Sequence, residues 1–284
     1  MLFFNCKYEM FVTCFLYGGL GNQLFQIYTT ISYSMRHKIP FKFIYTENLG
    51  KRPVYWGTFL KGLSNYLSTD IDIETLTKIK QNGLLLEAPN NNSVILDGYF
   101  QSFHFFKDFY NEISQLTGIE QHKTDIYKQF YANYKDNNCI SMHFRRGDYK
   151  GLQHIHPIMN IEYYANALSY ITTVSQKDKY NIIYFCEDED ADDIKKTDIE
   201  TLEIYFPNCD FRRFVGLSDW EEMIYMSCCD HHIIANSSFS WWGAYLHNRS
   251  QPSVNIVCYP DKWFGNNIQF PTDLCPNEWT KVSI

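Results

Sequence analysis

The segment CISMHFRRGDY, residues 139–149, is the most informative part of the chain, because an apolar run within it ends in two consecutive arginines. Residues 139–144 have the length and composition of a buried strand. Arg145 and Arg146 would then lie at the carboxyl-terminal edge of a sheet, where open α/β folds bind phosphorylated ligands. Guanidinium groups match phosphate oxygens in charge and geometry. The stretch therefore predicts an α/β fold that holds a phosphate group with arginine rather than with a metal.

The alternation of side chains along this strand predicts different positions for the two arginines. If the strand extends to Arg145, then His143 and Arg145 share one face and Arg146 points to the other. Arg145 is therefore the predicted phosphate contact and Arg146 supports it, while Asp148 could pair with either. The alternative is a surface network of ion pairs at a strand end.

Strands and helices alternate on both sides of this stretch. Before it, strands are predicted at 11–17, 41–45 and 93–99, with helices at 22–37, near 72–81 and over most of 102–134. After it, strands at 181–186, 211–215, 231–235 and 254–259 alternate with helices at 161–173, 219–229 and 238–247. The acidic run 187–193 is predicted to be a solvated loop. This order predicts parallel sheets covered by helices. The polar segment 135–138 predicts two halves, 1–136 and 137–284.

Composition narrows the function classes. The 284 residues are 45% hydrophobic and carry a net charge of -7, so a large core is supported and a broad nucleic-acid-binding face is excluded. The nine cysteines show neither a disulfide nor a zinc spacing, which indicates a reducing compartment and an expected cytoplasmic location. No apolar run is long enough to span a membrane. The first seventeen residues lack the cleavage site of a signal peptide.

The glycine-rich segment GGLGNQ, residues 18–23, lies between a predicted strand and a predicted helix. Glycine lets the backbone approach a ligand closely, and the free N–H groups at a helix start attract anions. A dinucleotide fingerprint would need a third glycine where Leu24 stands, and no Gly-Lys-Ser/Thr triplet follows. The segment is therefore either an anion site or an ordinary strand-to-helix turn.

Two further segments could contact a nucleotide. In IIANSSFSWWG, residues 233–243, a strand runs into small hydroxyl side chains. Ser237 or Ser238 could cap the following helix or hold phosphate oxygens. Upstream, residues 218–221 match a capping box. This leaves Glu222 either to accept hydrogen bonds from the N1–H and amine of guanine or to lie solvated on the surface.

Patterns that could indicate a metal are weak. Asp-x-Asp occurs at 70–72 and at 188–190, but the pattern is too short to be specific. His154 and His156 lack an evident third ligand, so we place them in a loop beside the site, toward the acceptor. No metal is expected.

In their order along the chain, these segments resemble the inverting α-1,2-fucosyltransferases. The matching motifs are GGLGNQ at 18–23, GYFQ at 98–101, HFRRGDY at 143–149 and the block at 229–242 that ends in NSSFSWW. They span residue 18 to about residue 247. The resemblance implies a GT-B-like α/β fold, with two Rossmann-type parallel-sheet halves facing across a cleft. The acceptor would bind to 1–136 and the donor to 137–284, with the C-terminal tail packing back.

The resemblance also implies a reaction. L-Fucose would pass from GDP-fucose to a galactose hydroxyl of a glycan in an α-1,2 linkage, with inversion and without a metal or resident cofactor. Arg145 and Asp148 would be catalytic. Donor contacts would come from Gly19, Gly21, Asn22, Gln23, His143, Arg145, Arg146, Glu222, Asn236, Ser237, Ser238 and Phe239. Glu222 occupies the position where related enzymes present an aspartate to guanine. Arg145 would offset the charge that grows on the diphosphate, and Asp148 could orient the arginines or deprotonate the acceptor.

Three alternatives stay open at this point. The chain could use another nucleotide sugar on the same fold, or it could bind a nucleotide or glycan without turnover. A nicotinamide dehydrogenase would rest on the glycine-rich turn alone. The sequence predicts neither the acceptor nor the oligomeric state.

Overall fold

The computed structural model describes residues 10–131, 138–247, 255–265 and 273–284. The chain divides into two compact units, Met1–Glu120 and Gln121–Ile284. The predicted division after residue 136 falls at 132–137, outside the described residues, and stays a prediction. Each unit contains its own parallel sheet, so the predicted α/β class with two parallel sheets is confirmed.

The first unit is built on the parallel sheet β1-β7-β6, in which β1 is Val12–Cys14, β7 is Val94–Asp97 and β6 is Thr77–Lys80. Four two-residue strands lie between β1 and β6, namely β2 (Phe43–Ile44), β3 (Asn48–Leu49), β4 (Arg52–Pro53) and β5 (Leu67–Ser68). The helices of this unit are α1 (Leu20–His37) and α2 (Tyr110–Thr117), and α3 (Ile119–Ile126) begins at its last two residues and continues into the second unit. The parallel pairing places the carboxyl ends of β1, β7 and β6 along one edge.

The predicted helix near 72–81 is wrong. A short 3₁₀ turn, Ile73–Thr75, leads into the edge strand β6 instead. Ile73, Leu76 and Ile79 recur every third residue and imitate a helical stripe. Ile79 is the one buried residue of β6, however, and its pairing with β7 decides the conformation.

The second unit is built on a six-stranded parallel sheet in the order β10-β9-β8-β11-β12-β13. Its strands are β8 (Cys139–His143), β9 (Tyr180–Phe185), β10 (Cys209–Arg213), β11 (His231–Ile233), β12 (Val257–Pro260) and β13 (Thr280–Val282). Its helices are α4 (Ile161–Ser175), α5 (Ala191–Ile194), α6 (Glu200–Tyr205), α7 (Asp219–Cys228) and α8 (Ser238–Tyr245). The sequence did not predict β13, α5 or α6.

The two faces of β8 are occupied as the alternation predicts. Ile140 and Met142 belong to the buried cluster that includes Tyr163 and Tyr164 of α4. On the other face, the Ser141 hydroxyl lies 2.8 Å from Nδ1 of His232. All five residues of β8 are buried, so both faces of this strand are covered, as is usual in parallel sheets.

The acidic run 187–193 is not the solvated loop that the sequence predicted. Residues 188–190 form a 3₁₀ turn, and α5, a π-helical turn over Lys195–Ile199 and α6 follow it. Asp190 and Asp198 are buried. Burial of carboxylates requires cationic or N–H partners, and the arginine stretch supplies them.

Among the described residues, no helix combines the length and the apolar character needed to cross a membrane.

Candidate functional site

The candidate site of the second unit lies where β8 ends. His143 is the last residue of that strand and is buried, with its ring centroid 5.5 Å from the ring of Phe239. Burial, with a further contribution from the Arg145 cation, lowers the pKa of His143 to about 3. His143 is therefore neutral at physiological pH and offers a ligand hydrogen bonds without charge.

Arg145 lies two residues beyond the end of β8, at the carboxyl edge of the sheet. Its guanidinium pairs with the carboxylates of Asp148 and Glu187, and its Cζ lies 5.1 Å from the ring centroid of Tyr149. The side chains of Asp148 and Glu187 are 46% and 44% exposed, whereas that of Arg145 is 19% exposed. Exposed carboxylates hold a cation weakly, so an anionic ligand can take their place. Of the partners left open for Asp148, the structure shows Arg145.

Arg146 has partners other than those of Arg145, although β8 ends at His143 and the predicted alternation does not extend to the arginines. Its guanidinium pairs with Asp193 and with Asp198, which is 4% exposed, and it contacts the hydroxyl of Thr197. Arg146 thus fastens the helical acidic segment to the end of β8. The support that it gives to Arg145 is indirect, through the position of this backbone.

A second buried carboxylate fixes the turn after the arginines. Asp190 accepts a 2.7 Å hydrogen bond from the Gly147 N–H and pairs with Lys150. Burial alone would raise the pKa of Asp190, but the Lys150 and Gly147 hydrogen bonds outweigh it and hold the pKa below its usual value. Gly147 has φ +25°, and a Cβ there would overlap the Glu187 carboxylate. These roles of Glu187 and Asp190 were not predicted from the sequence, although the acidic run 187–193 was an available signal.

The segment that follows β11 lies beside the site, because β11 is the neighbour of β8 in the sheet. Ser237 caps α8 by accepting a hydrogen bond from the Phe239 N–H at 3.3 Å, so the predicted capping role is confirmed. Ser238, the first residue of α8, is partly exposed. Asn236 is buried, and its Nδ2 donates to the carbonyls of Pro157 and Trp263 at 3.0 Å each. Asn236 therefore holds two loops beside the site.

The two histidines proposed for the acceptor differ in environment. His156 stacks on Tyr149 at 4.7 Å with a 17° interplanar angle, and Tyr149 Oη donates to the Asn236 carbonyl at 3.1 Å. Burial lowers the pKa of His156, and Asp148 opposes this effect. His154 is exposed. The stack Arg145–Tyr149–His156 joins the guanidinium to the loop before α4, and His154 takes no part in it.

Glu222 lies farther along the same sheet, beside the ends of β9 and β10. Burial raises the pKa of its carboxyl group to about 7, with further contributions from Asp188 and Asp219, and Arg213 opposes them. Glu221 forms the predicted capping box with Ser218. Within the described part of the chain no hydrogen bond to the Glu222 carboxylate is present, so it can accept from a ligand.

The glycine-rich turn lies at the corresponding edge of the first unit. Gly19 precedes α1 with no side-chain cap, and a Cβ at Gly19 would meet nothing within 4 Å. Gly21 lies buried in the first turn of α1. Gly18, with φ +74°, permits the tight entry into the helix. The backbone at Gly19 is therefore open to a ligand.

The amides after these glycines hold the turn in place. Asn22 Oδ1 accepts a 2.7 Å hydrogen bond from Gln101 Nε2, which joins GGLGNQ to GYFQ. Gln23 is buried, and its Nε2 donates to the carbonyls of Gly18 at 3.1 Å and Pro53 at 2.9 Å. Gln23 thus supports the backbone of the turn.

The acidic pairs proposed from the Asp-x-Asp pattern have protein partners. Asp72 caps the turn at Ile73–Thr75, Asp188 pairs with Arg213, and Asp190 pairs with Lys150. Among the described residues, no group of three or more His, Cys, Asp or Glu side chains is placed to hold a metal ion.

Comparison with known proteins agrees with the sequence motifs. The family description "Glycosyl transferase family 11" matches residues 59–282. The chain is 29% identical over 195 residues to an alpha-1,2-colitosyltransferase of Escherichia coli, covering 67% of this chain and 63% of the relative. It is 30% identical over 226 residues to the O-antigen biosynthesis glycosyltransferase WbnK of Escherichia coli, covering 75% and 66%. The chain thus spans just under two thirds of each relative.

Among solved structures, fucosyltransferase NodZ from Bradyrhizobium aligns with a TM-score of 0.46 and 13% identity, covering 84% of this chain and 92% of that one. A likeness this distant adds nothing to the description of the site. The family match, by contrast, includes the arginine stretch, the acidic segment and the block at 229–242. The chain therefore belongs to glycosyl transferase family 11.

Proposed function

We propose that this protein transfers L-fucose from GDP-fucose to a galactose hydroxyl of a glycan, forming an α-1,2 linkage with inversion. The observation that carries the proposal is the position of Arg145 in a family 11 glycosyltransferase. Its guanidinium lies at the carboxyl edge of a parallel sheet, held by two exposed carboxylates that an anion can displace.

The donor would lie along the edge of the second sheet. Its diphosphate would replace Asp148 and Glu187 on Arg145, since phosphate oxygens bind the guanidinium in a bidentate manner. At the start of α8, Ser238 would contribute its N–H group and Phe239 its ring. The guanine would place its N1–H and amine against the carboxylate of Glu222.

In the reaction, an acceptor oxygen would attack the anomeric carbon while the bond from that carbon to the diphosphate breaks. Negative charge then grows on the leaving GDP, and Arg145 stabilises it. One such charged contact contributes about 2–4 kcal/mol to transition-state stabilisation. The hydroxyl proton would pass to Asp148, whose carboxylate the diphosphate has displaced from Arg145. His143, which is neutral, would donate a hydrogen bond without altering the charge balance.

Metal-independent transfer is part of the proposal. Arg145 supplies the positive charge that a divalent cation supplies in other transferases. Asp188 and Asp190 are each paired with a basic side chain, so metal ligation by this Asp-x-Asp segment would require breaking both pairs. Activity that persists in EDTA would support the proposal. Activity abolished by EDTA and restored by a divalent cation would contradict it.

The donor assignment is tested by calorimetry with GDP, GDP-fucose and UDP. Binding of both guanine nucleotides with weak or absent binding of UDP is expected. Incubation with GDP-fucose and a panel of galactosides, followed by linkage analysis of the product, tests the transfer. Binding of UDP in preference to GDP, or a product with another linkage, would contradict the proposal.

The curated relatives favour a second candidate function. One of them is named an alpha-1,2-colitosyltransferase. In this second candidate function, the chain would transfer a colitosyl group to the same acceptor hydroxyl. Competition between GDP-fucose and a colitose donor in one assay distinguishes the two candidates, because the preferred donor has the higher kcat/KM.

A further inference from the structure

The carboxyl edge of the first sheet carries two exposed aromatic side chains. Tyr17 follows β1 and Tyr99 follows β7, with 36% and 50% of their surfaces exposed. Their ring centroids are 6.0 Å apart and their planes are tilted by 54°. Exposed large aromatic rings that lie together at the ligand-binding edge of a parallel sheet indicate a binding surface.

Charged groups adjoin these rings. Tyr17 Oη donates to Asp97 Oδ1 at 2.9 Å, and Lys78 Nζ lies 3.7 Å from Asp97 Oδ2. Lys78 also lies 5.0 Å from the ring centroid of Phe15, which is itself 5.9 Å from the ring of Tyr17. Aromatic faces, a carboxylate and an ammonium group therefore share one small surface.

The backbone under this surface is fixed by hydrogen bonds. The Tyr17 N–H donates to Gln26 Oε1 at 2.9 Å, and the Phe100 N–H donates to Gln81 Oε1 at 2.7 Å. Phe100 has φ +51°, a conformation that non-glycine residues adopt where surrounding contacts hold them. Tyr17 directly precedes the open glycine turn at Gly18 and Gly19. The surface is thus preorganised beside that turn.

We propose that Tyr17, Tyr99, Asp97 and Lys78 form the binding site for a pyranose ring of the acceptor glycan. A pyranose has an apolar C–H face that packs on an aromatic ring and a rim of hydroxyl groups. Asp97 accepts hydrogen bonds from those hydroxyls and Lys78 donates to them. A purely apolar partner would leave this ion pair desolvated, whereas sugar hydroxyls satisfy it. The assignment of the sugar as the acceptor rests on the proposed function.

Saturation-transfer NMR on the full chain detects binding of methyl β-D-galactopyranoside and so tests the site without requiring turnover. Tyr99→Ala and Asp97→Asn should each weaken binding about tenfold or more, since a hydrogen bond or ring contact to the sugar is lost. Tyr99→Phe retains the ring and should bind like the wild type. Tyr170→Ala is the matched control, because Tyr170 is an exposed tyrosine of α4 in the other unit.

Calorimetry with GDP on the same variants keeps this proposal distinct from the proposed function. Galactoside binding that is lost in Tyr99→Ala, retained in Tyr170→Ala and accompanied by unchanged GDP affinity supports the acceptor site. Galactoside binding that survives in both Tyr99→Ala and Asp97→Asn, or that is absent from the wild type, overturns it. Failure of the wild type to bind GDP would overturn the donor assignment alone.

Discussion

Arg145 and Glu187 form an ion pair that joins the ends of two adjacent strands, β8 and β9. The pair lies at the edge where the donor diphosphate is proposed to bind. If the diphosphate binds there, Glu187 would compete with it for the guanidinium, and the same contact that orients the cation would oppose binding.

Glu187→Gln should raise the affinity for GDP. Removal of a half-exposed carboxylate from the guanidinium relieves a competition of up to about 1 kcal/mol, or roughly a fivefold change in Kd. Calorimetry with GDP measures this change in Kd. Glu189→Gln makes the same charge change at an exposed neighbour and should leave Kd unchanged. An equal effect of both substitutions would show that net charge alone is responsible.

Arg145→Ala should abolish measurable GDP binding and lower kcat/KM by about two to three decades, because the growing charge on the diphosphate loses its cation. Arg145→Lys keeps the charge but not the bidentate geometry and should recover only part of the loss. Arg212→Ala is the control, since Arg212 is an exposed arginine of β10 paired with Asp210. Activity that survives Arg145→Ala would rule out the assigned role.

Arg146→Met should destabilise the fold by about 3–5 kcal/mol, because it leaves the buried Asp198 carboxylate without its cation. Urea unfolding of the purified chain measures this loss. The double variant Arg146→Met with Asp198→Asn should recover much of it, since the uncompensated buried charge is then removed. If the double variant is no more stable than the single one, the pair does not act as described.

GDP binding should tighten as the pH rises from 6 to 8. The pKa of Glu222 is raised to about 7 by burial and by neighbouring carboxylates, so below that pH the side chain is protonated and loses an acceptor for guanine. Above it, the carboxylate accepts from both guanine donors. Calorimetry with GDP at several pH values is carried out on the wild type and on Glu222→Gln. The diphosphate titrates equally in both experiments, so the difference between the two pH profiles reports the titration of Glu222. A pH profile that is the same in both proteins would exclude Glu222 from base recognition.

Glu222 also links pH to stability. Its pKa lies above the ordinary 4.5 in the folded chain, so the folded state binds this proton more tightly than the unfolded state. The resulting stabilisation is complete below pH 4.5 and disappears as the pH rises through 7. Glu222→Gln should therefore raise Tm at pH 8 by about 1–3 °C after allowance for solvent screening, and by less at pH 5. Scanning calorimetry at both pH values checks the difference.

The strand at 139–143 and its two faces could be predicted from sequence because they depend on local alternation. Ile140 and Met142 fill the core while Ser141 lies on the other face, as the period of two requires. The capping box at Ser218 could be predicted because its two residues, Ser218 and Glu221, lie only three positions apart.

Features that depend on distant pairing could not be predicted. The acidic run resembled a solvated loop because its partner Arg146 lies some fifty residues earlier in the sequence. The register between β1 and β7 alone brings Tyr17 beside Tyr99, which is 82 positions later in the numbering. The segment that contains edge strand β6 was predicted as a helix because its apolar residues recur every third position. Nothing in that segment indicates that it pairs with β7.

The stack Arg145–Tyr149–His156 has a consequence for the response to salt. The ion pairs of Arg145 with Asp148 and Glu187 are exposed and weaken as ionic strength rises. Contact between the guanidinium and the Tyr149 ring depends on dispersion and on the ring quadrupole, which dissolved ions screen far less. High salt should therefore loosen the resting carboxylates while the rings keep the cation aimed at the sheet edge.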